Sequence, residues 1–352
     1  MIYAFFLITV LTSGILELAY YPHNKRITKQ CYVIASLLFI GIGGLTKVNG
    51  LDVDAYLSIF NYSISFTDIG EFVQFEPFFL LLCSLFPSYE VFIFVFMIIN
   101  LYLISKTIFR YSPYPCLSLF VYISIYYLLG PMGQLRQAIA LSIMIYAWRF
   151  FSDKKFLLFI LVASLFHYSA LLCLVIYFIP NKLYEKKVYI IFIILAFVLF
   201  LPAQKLMINI LTHFIGSIDS IIGAKLEIYM SREEAIISIP LLMYKLMITF
   251  LLLLKRKNLL AISSIFPKLL NMYIFSLSLY LFLSFSGTIN GRLTLYFSLS
   301  EILLLPLLFE VLKKQQIRFI IYPFILLLCA YQYFSFLFDF STVFIPYKPF
   351  FL

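Results

Sequence analysis

Long apolar stretches separated by short polar or basic segments make up most of this sequence. Ten of them are continuous and of helical length, which predicts transmembrane helices. They are Ile2–Tyr21, Cys31–Thr46, Tyr89–Ser105, Tyr114–Leu129, Arg136–Phe150, Val188–Pro202, Ile236–Leu254, Leu269–Ser286, Leu293–Leu312 and Phe319–Phe338. No internal repeat or low-complexity linker is visible. The pattern predicts an all-α, polytopic helical membrane protein with about 10–12 transmembrane helices, in a single domain spanning residues 1–352.

A further apolar stretch, Phe156–Ile179, allows a single crossing by length but carries His167 at its centre. If it enters the membrane and returns to the same side, the short loops on one face hold 18 of the 26 Lys and Arg residues, and the other face holds seven. If it crosses once, one face of the membrane holds 13 of the Lys and Arg residues and the other face holds 12. Cytoplasmic loops carry an excess of basic residues. A re-entrant pair of half-helices broken near His167 is therefore predicted.

In the alternative topology, this stretch crosses the membrane and a further span around Met207–Ile222 crosses back. One face then holds 16 of the Lys and Arg residues and the other holds nine. In the favoured topology both chain ends and most polar chemistry lie on the outer, non-cytoplasmic face. Non-helical backbone at membrane depth occurs only inside protein or beside a water-filled cavity. The break at His167 therefore also predicts a cavity.

Composition supports the membrane class and excludes several others. Hydrophobic residues make up 64% of the chain and charged residues 12%, against about half and a quarter in soluble domains. Continuous apolar runs exclude an outer-membrane barrel, whose strands are short and alternate in polarity. The five cysteines all lie in apolar runs without disulfide or metal spacing. No nucleotide, nucleic-acid, haem or hydrolase motif is present, so we expect no cofactor and no metal site.

Arg136 opens an apolar helix within "GPMGQLRQAIALSI", between Gln134 and Gln137. An arginine at a span end often anchors the helix by placing its guanidinium among lipid headgroups. Such arginines belong mostly on the cytoplasmic side, however, and this one is predicted to be outside. A helix N-terminus favours anions, and a guanidinium adds a forked donor suited to phosphate. The segment therefore predicts an anion site for phosphate.

Arg292, in "SGTINGRLTLYF", repeats this arrangement at the predicted start of another span on the outer face. Two arginines at two outer helix starts could clamp one pyrophosphate. Lys245 and Glu301 lie within spans and are interpreted as a structural pair.

His167 lies in the apolar run "SLFHYSALL". A lone histidine within a membrane is most often a packed, hydrogen-bonded residue. The functional alternative is general acid or base work, because its titration lies closest to neutrality.

The outer loops supply acidic candidates. "DVDAY" holds a D-x-D pair, Asp52 and Asp54, which could hold a metal or a sugar hydroxyl or pair with an outer arginine. A lone D-x-D is weak evidence for metal. "SREEA" is interpreted as a helix start, although Arg232 within it could contact substrate.

Several motifs together resemble one family. "GLDVDAYLSIF", "FEPFF", "GPMGQLRQAIALSI", "LFHYSALL", "NGRLTLYF" and "IPYKPF" follow one another between about residues 50 and 350. This series is similar to the EpsG-like branch of the Wzy polysaccharide polymerases. The resemblance implies a bacterial inner-membrane enzyme of GT-C-like helical architecture, with its active site on the periplasmic or outer side. It also implies oligosaccharide repeats on undecaprenyl pyrophosphate as donor and acceptor.

On that interpretation the candidate residues take chemical roles. Arg136 and Arg292 stabilise the leaving pyrophosphate, and His167 or an outer carboxylate such as Asp52 or Asp54 acts as base. The candidate substrate contacts are Gln134, Gln137, Tyr56, Glu76, Arg232 and Tyr296. A chain-length regulator is a possible protein partner.

Other functions stay open on sequence grounds. An O-antigen ligase or a GT-C transferase using a polyprenyl-phosphate sugar is the nearest alternative enzyme. A lipid-glycan flippase or transporter is the alternative from another class, but it should show polar groups through both halves of its path and often paired repeats. This chain shows neither clearly.

Overall fold

A computed structural model describes residues 1–20, 25–46, 49–65, 76–217, 237–284 and 287–351 of the chain. Arg232 therefore lies outside the described residues, as does the "SREEA" segment around it. Within the described residues the fold is built from helices, with a single isolated bridge between Thr46 and Pro349. The predicted all-α class is confirmed.

The helices account for most of the described residues. In chain order they are α1 Ile2–Tyr20, α2 Lys25–Gly44, α3 Val53–Ser65, α4 Pro77–Ser84, α5 Tyr89–Tyr111, α6 Pro115–Tyr122, α7 Leu135–Ala147, α8 Lys155–Phe166, α9 Leu174–Phe178, α10 Lys186–Ser217, α11 Ile239–Ile262, α12 Phe266–Phe282, α13 Gly287–Ser298, α14 Glu301–Leu312, α15 Arg318–Asp339 and α16 Ser341–Phe344. A π-helical turn, Ile123–Tyr127, follows α6, and 3₁₀ turns lie at Trp148–Phe150 and Tyr168–Cys173. Each of the ten predicted spans is largely helical in the described residues.

Four of these helices, α1, α2, α5 and α15, are long and apolar enough to cross a membrane. A fifth span results if the two halves of a pair bent by 45°, Ile289–Ser298 and Glu301–Leu312, are counted together. Shorter apolar helices accompany them at Pro115–Tyr127, Lys155–Phe166, Tyr168–Phe178 and Phe266–Phe282. The chain is a multi-pass helical membrane protein, while the total of 10–12 spans and the GT-C likeness stay predictions.

The structure differs from the sequence-based predictions in three details. The continuous span predicted over Leu293–Leu312 is broken, because α13 ends at Ser298 and α14 begins at Glu301. The helix carrying Arg292 begins at Gly287, so this arginine lies in its second turn and not at its start. The separate span of the alternative topology also receives no support, since residues 207–217 are the end of the 32-residue α10.

The contacts divide the chain into two compact units, residues 1–177 with 305–352 and residues 178–304. In the first, α1 packs on α2 and α6, α5 on α2 and α7, and α8 on α7 and α4. Buried Asn49 joins the loop before α3 to the C-terminal tail. Its amide donates to the carbonyls of Val343, Phe344 and Pro346 at 3.0–3.1 Å, and its oxygen accepts from the Lys348 N–H at 2.6 Å.

In the second unit, α12 packs against α10, α11 and α13. Asn271 of α12 donates to the carbonyls of Pro180 and Lys182 and accepts from the Tyr189 hydroxyl. The two charged residues interpreted as structural, Lys245 and Glu301, are both buried here beside Tyr273.

Candidate functional site

Glu76 is positioned by the proline that follows it. A residue before proline is pushed out of the helical region, and Glu76 is extended, with φ −68° and ψ 127°. Pro77 then occupies the first position of α4, where its missing N–H costs nothing. The Phe78 ring packs edge-to-face on Phe166, with ring centroids 5.8 Å apart. That contact brings the start of α4 to the end of α8.

His167 follows Phe166 and ends α8. Its backbone is extended, with φ −158° and ψ 115°, and a 3₁₀ turn begins at Tyr168. The predicted break at His167 is therefore confirmed. The helical pieces on either side, of 12 and 11 residues, are each roughly 18 Å long at 1.5 Å per residue, short of the hydrocarbon thickness. Whether the pair returns to the same side stays a prediction.

Arg136 is the second residue of α7, so the predicted helix start is also confirmed. The turn before the helix is crowded. A Cβ on Gly133 would lie 2.5 Å from the Leu129 carbonyl, and a Cβ on Gly50 would lie 2.1 Å from the carbonyl of Met132. Glycine is required at both positions because backbone approaches backbone there. The loop before α3 thus lies directly against the turn that precedes Arg136.

The structure joins these three residues through one carboxylate. Oε2 of Glu76 lies 2.6 Å from Nη1 of Arg136, and Oε1 lies 2.9 Å from Nδ1 of His167. The Glu76 side chain is only 5% exposed, against 27% for Arg136 and 16% for His167. The Glu76 carboxylate therefore lies deepest in the site, and the side chains of Arg136 and His167 are its more accessible part.

The electrostatics of the cluster keep Glu76 ionised. Burial alone would raise the pKa of Glu76, but the hydrogen bond from His167 and the charge of Arg136 outweigh it and lower the pKa to about 2. Tyr56 of α3 completes the surroundings of Arg136. Burial raises the pKa of the Tyr56 hydroxyl, while the charge of Arg136 and a hydrogen bond to it act in the opposite direction. Tyr56 is 4% exposed, so it contacts Arg136 rather than open solvent.

This arrangement orients His167 for proton transfer. An ionised carboxylate only accepts hydrogen bonds, so Nδ1 of His167 carries the hydrogen and Nε2 of the neutral ring carries the lone pair. A carboxylate holding Nδ1–H of a histidine whose Nε2 takes a proton is the arrangement of hydrolytic triads. The site therefore offers a base and a guanidinium within one cluster.

Asp52 and Asp54 line an open polar cleft of about 380 Å³, and the charge of Asp52 also acts on Tyr56 beside Arg136. Lys348 and Thr342 of the C-terminal segment line the same cleft. Both aspartates are exposed. Within the described part of the chain no group of three or more His, Cys, Asp or Glu side chains is arranged to hold a metal. The described geometry thus gives the D-x-D pair no further acidic, histidine or cysteine ligand.

The remaining candidates are scattered. Gln134 precedes α7 and is half-buried, whereas Gln137 is buried within the first unit. Arg292 and Tyr296 both belong to α13 in the second unit, where Tyr296 is fully buried and Arg292 half-buried. Their predicted contacts with substrate stay predictions.

Sequence reasoning selected Glu76 and Tyr56 as sugar contacts and did not predict their contacts with Arg136. The available signal was "FEPFF", in which a proline directly after an acidic residue predicts an extended carboxylate at a helix start. Asn49 was missed altogether. Its position before a glycine in the first outer loop indicates a turn, but nothing in the sequence indicates its partners some 295 residues away.

No curated protein and no solved structure matches the chain. A family comparison does match, over residues 28–349 and under the description EpsG family. The matched region contains Glu76, Arg136 and His167 and covers nearly the whole chain, which confirms the resemblance seen in the sequence. This chain belongs to the EpsG family, a membrane protein family implicated in exopolysaccharide synthesis.

Proposed function

We propose that this protein polymerises oligosaccharide repeat units carried on undecaprenyl pyrophosphate, at the outer face of a bacterial inner membrane. The observation that carries the proposal is the cluster in which Glu76 holds both Arg136 and His167. Membership of the EpsG family supports polysaccharide synthesis as the setting. The predicted topology puts the cluster on the outer side, where assembled repeats would be joined.

The chemistry of glycosyl transfer requires two functions that this cluster combines. In the proposed step, a hydroxyl of the incoming lipid-linked repeat attacks the anomeric carbon of the growing glycan. The new carbon–oxygen bond forms as the bond to the pyrophosphate oxygen breaks, and the hydroxyl proton moves to Nε2 of His167. Undecaprenyl pyrophosphate leaves with the electron pair of the broken bond.

Arg136 matches the leaving group in this step. The Arg136 side chain is 27% exposed and that of Glu76 only 5%, so an incoming anion meets the arginine before the carboxylate. The N-terminus of α7 adds oriented backbone N–H groups at the same place. Donors aimed at developing charge are commonly the largest contribution to catalysis. Arg292 belongs to the second unit, and its part in holding the pyrophosphate is an additional prediction.

An O-antigen ligase or a GT-C transferase would use similar groups, and these enzymes differ from the polymerase in the acceptor or the lipid carrier. A flippase would not need an oriented base. The Glu76–His167 pair therefore favours a transferase over a transporter. A chain-length regulator is a proposed partner, and no nucleic acid is expected.

The test is reconstitution. Purified protein in vesicles receives a synthetic repeat on undecaprenyl pyrophosphate as its only substrate, and products are separated by size. A ladder of products differing by one repeat, with release of undecaprenyl pyrophosphate, supports polymerisation. Transfer to a lipid A core without a ladder would indicate a ligase. Movement of the substrate between leaflets with no new glycosidic bond would indicate a flippase, and either result would overturn the proposal.

A further inference from the structure

An open groove on the first unit lies between the second half of α1 and the first half of α15. Its volume is about 680 Å³. Apolar side chains from both helices line most of it: Leu11, Ile15, Leu18, Phe319, Leu326 and Leu327. One end of the groove is positively charged, because Lys313 and Arg318 lie there beside Tyr114 and Tyr322. We call it the cationic end.

The position of this end along the membrane follows from how the two helices run. Tyr3, near the start of α1, packs edge-to-face on Phe344 and Tyr347, which follow the end of α15. The two helices are therefore antiparallel, and the cationic end of the groove is remote from the chain termini. Lys313 and Arg318 belong to the basic loop "KKQQIR". The excess of basic residues in such loops predicts the cytoplasmic side.

The length of the groove fits one leaflet. From Arg318 to Leu327 the helix rises about 13 Å at 1.5 Å per residue. Half of the hydrocarbon thickness of a bilayer is roughly 15 Å. An acyl chain beginning at the cationic end would thus reach the middle of the membrane along this wall.

Contacts within the protein hold the side chains at the cationic end in place. The Tyr322 ring stacks on Phe309, with centroids 4.0 Å apart and planes at 2°. Arg318 donates to the carbonyl of Lys313, and the Lys313 ammonium lies 5.8 Å from the centre of the Tyr114 ring. These contacts fix the connection between α14 and α15 before any ligand arrives, which lowers the ordering cost of binding.

Charge decides which lipid suits this groove. Two acidic groups are close: Glu310 accepts the hydroxyl hydrogen of Tyr114, and Glu17 of α1, which is fully buried, also acts on Tyr114. Against these two groups stand Lys313 and Arg318 at the groove and exposed Lys314 beside them. The balance is positive, which favours an anionic headgroup over a zwitterionic one.

We propose that this groove binds an anionic glycerophospholipid of the cytoplasmic leaflet. Its phosphate would lie between Lys313 and Arg318, and an acyl chain would lie along Ile15 and Leu327. The proposal does not depend on the reaction catalysed, because the groove belongs to the helices α1 and α15 and to none of the residues Glu76, Arg136 or His167.

The experiment measures lipid adducts on the purified full-length protein by native mass spectrometry, with phosphatidylglycerol and phosphatidylcholine titrated separately. We expect tighter binding of phosphatidylglycerol to wild type. Each groove-lining cation removed should weaken it about fivefold, as Lys or Arg contributes about 1 kcal/mol near an anionic lipid. Lys313→Gln and Arg318→Gln should both show this loss, and Arg318→Lys should retain binding. Lys314→Gln is the matched control and should weaken binding less, since Lys314 neighbours the groove without lining it.

A second variant tests the apolar part without changing charge. Ile15→Trp fills the groove and should weaken phosphatidylglycerol binding, and it also decides the question if Arg318→Gln does not fold. Equal loss in Lys314→Gln would mean general attraction to a basic surface, and unchanged binding in Ile15→Trp would mean that no acyl chain enters. Tighter binding of undecaprenyl phosphate at the same residues would assign the groove to the lipid carrier. Each of these three results overturns the proposal.

Discussion

Nδ1 of His167 lies 2.9 Å from Oε1 of Glu76, although the two residues are 91 positions apart in the chain. The contact exists because α4 packs on α8 through Phe78 and Phe166. It gives His167 a defined tautomer, with Nε2 as the proton acceptor. The other oxygen of the same carboxylate holds Arg136, so a change at Glu76 should disturb the base and the anion site together.

Glu76→Gln keeps the size of the side chain and removes its charge. The amide can donate to His167, which favours the opposite tautomer and leaves Arg136 without its counter-charge. We expect the polymerisation rate to fall between about a hundredfold and ten-thousandfold, the usual contribution of a positioned base, measured as repeats joined per enzyme in the vesicle assay. Glu90→Gln is the matched control, because Glu90 is exposed in the first turn of α5. Equal rates in both variants would contradict the orienting role.

The low pKa of Glu76 predicts how stability depends on pH. The pKa falls from the ordinary value of 4.5 to about 2 in the folded protein. The carboxylate therefore stabilises the fold above about pH 4.5, and this contribution is lost as the pH falls through about 2. In detergent, the Tm of wild type should exceed that of Glu76→Gln at pH 5–7, and the difference should shrink below pH 4.5. A difference that is constant or grows in acid would show that the carboxylate is not held as described. The Glu90→Gln variant again serves as the control.

Arg136→Lys tests whether the fork of the guanidinium matters. Lysine keeps the charge but cannot make the paired, planar contacts that suit phosphate. Removing a donor that acts on developing charge costs on the order of a hundredfold or more, and we expect a loss of this size in the rate of repeat joining. Arg149→Lys is the control, since Arg149 follows the other end of α7 and lies 4.8 Å from the Tyr146 ring centre. Normal polymer from both Arg136→Lys and Arg136→Ala, at unchanged protein level, would reduce Arg136 to a membrane anchor.

Metal removal separates the arginine mechanism from one that uses the D-x-D pair. Asp52 and Asp54 are exposed in a cleft shared with Lys348, and Arg136 can offset the charge of the leaving group. Purified enzyme should therefore join repeats at the same rate in EDTA as in magnesium. The measurement needs metal-free substrate and vesicles. Activity lost in EDTA and restored by magnesium or manganese would make Asp52 and Asp54 a metal site.

The sequence predicts the helices well because apolar runs of helical length have few other structures available in a membrane. It also predicts the break at His167 and the helix start at Arg136, since a polar residue within an apolar run and a Gly-Pro turn are local signals. The break between Ser298 and Glu301 has no such signal, because the nearest proline is Pro306, inside α14.

Arg292 shows where local signals mislead. Gly291 indicated a helix start, but the helix begins at Gly287 and continues through Gly291, where a Cβ would meet no heavy atom within 4 Å. A glycine inside a helix costs only about 1 kcal/mol, so it does not have to end one. The Glu76–Arg136 pair lies beyond local signals altogether. It spans 60 residues and depends on how α3, α4, α7 and α8 pack, which no pattern along a single chain encodes directly.

His167 is tested by two neutral substitutions that separate its two nitrogens. The amide nitrogen of asparagine takes the place of Nδ1 and can still donate to Glu76, whereas that of glutamine reaches the position of Nε2. If His167 only holds Glu76, His167→Asn should retain near-normal activity and His167→Gln should lose more.

If Nε2 takes the proton of the attacking hydroxyl, neither amide can replace it. Both variants should then lose about a hundredfold to ten-thousandfold in rate, the usual contribution of a positioned base. Binding of the lipid-linked substrate and protein level should persist in both, which distinguishes a lost base from a damaged fold. His167→Asn with normal polymer would move the search for a base to the outer carboxylates Asp52 and Asp54. Glu76 would be a weaker candidate for the base than these two aspartates, because both of its carboxylate oxygens already hold other side chains.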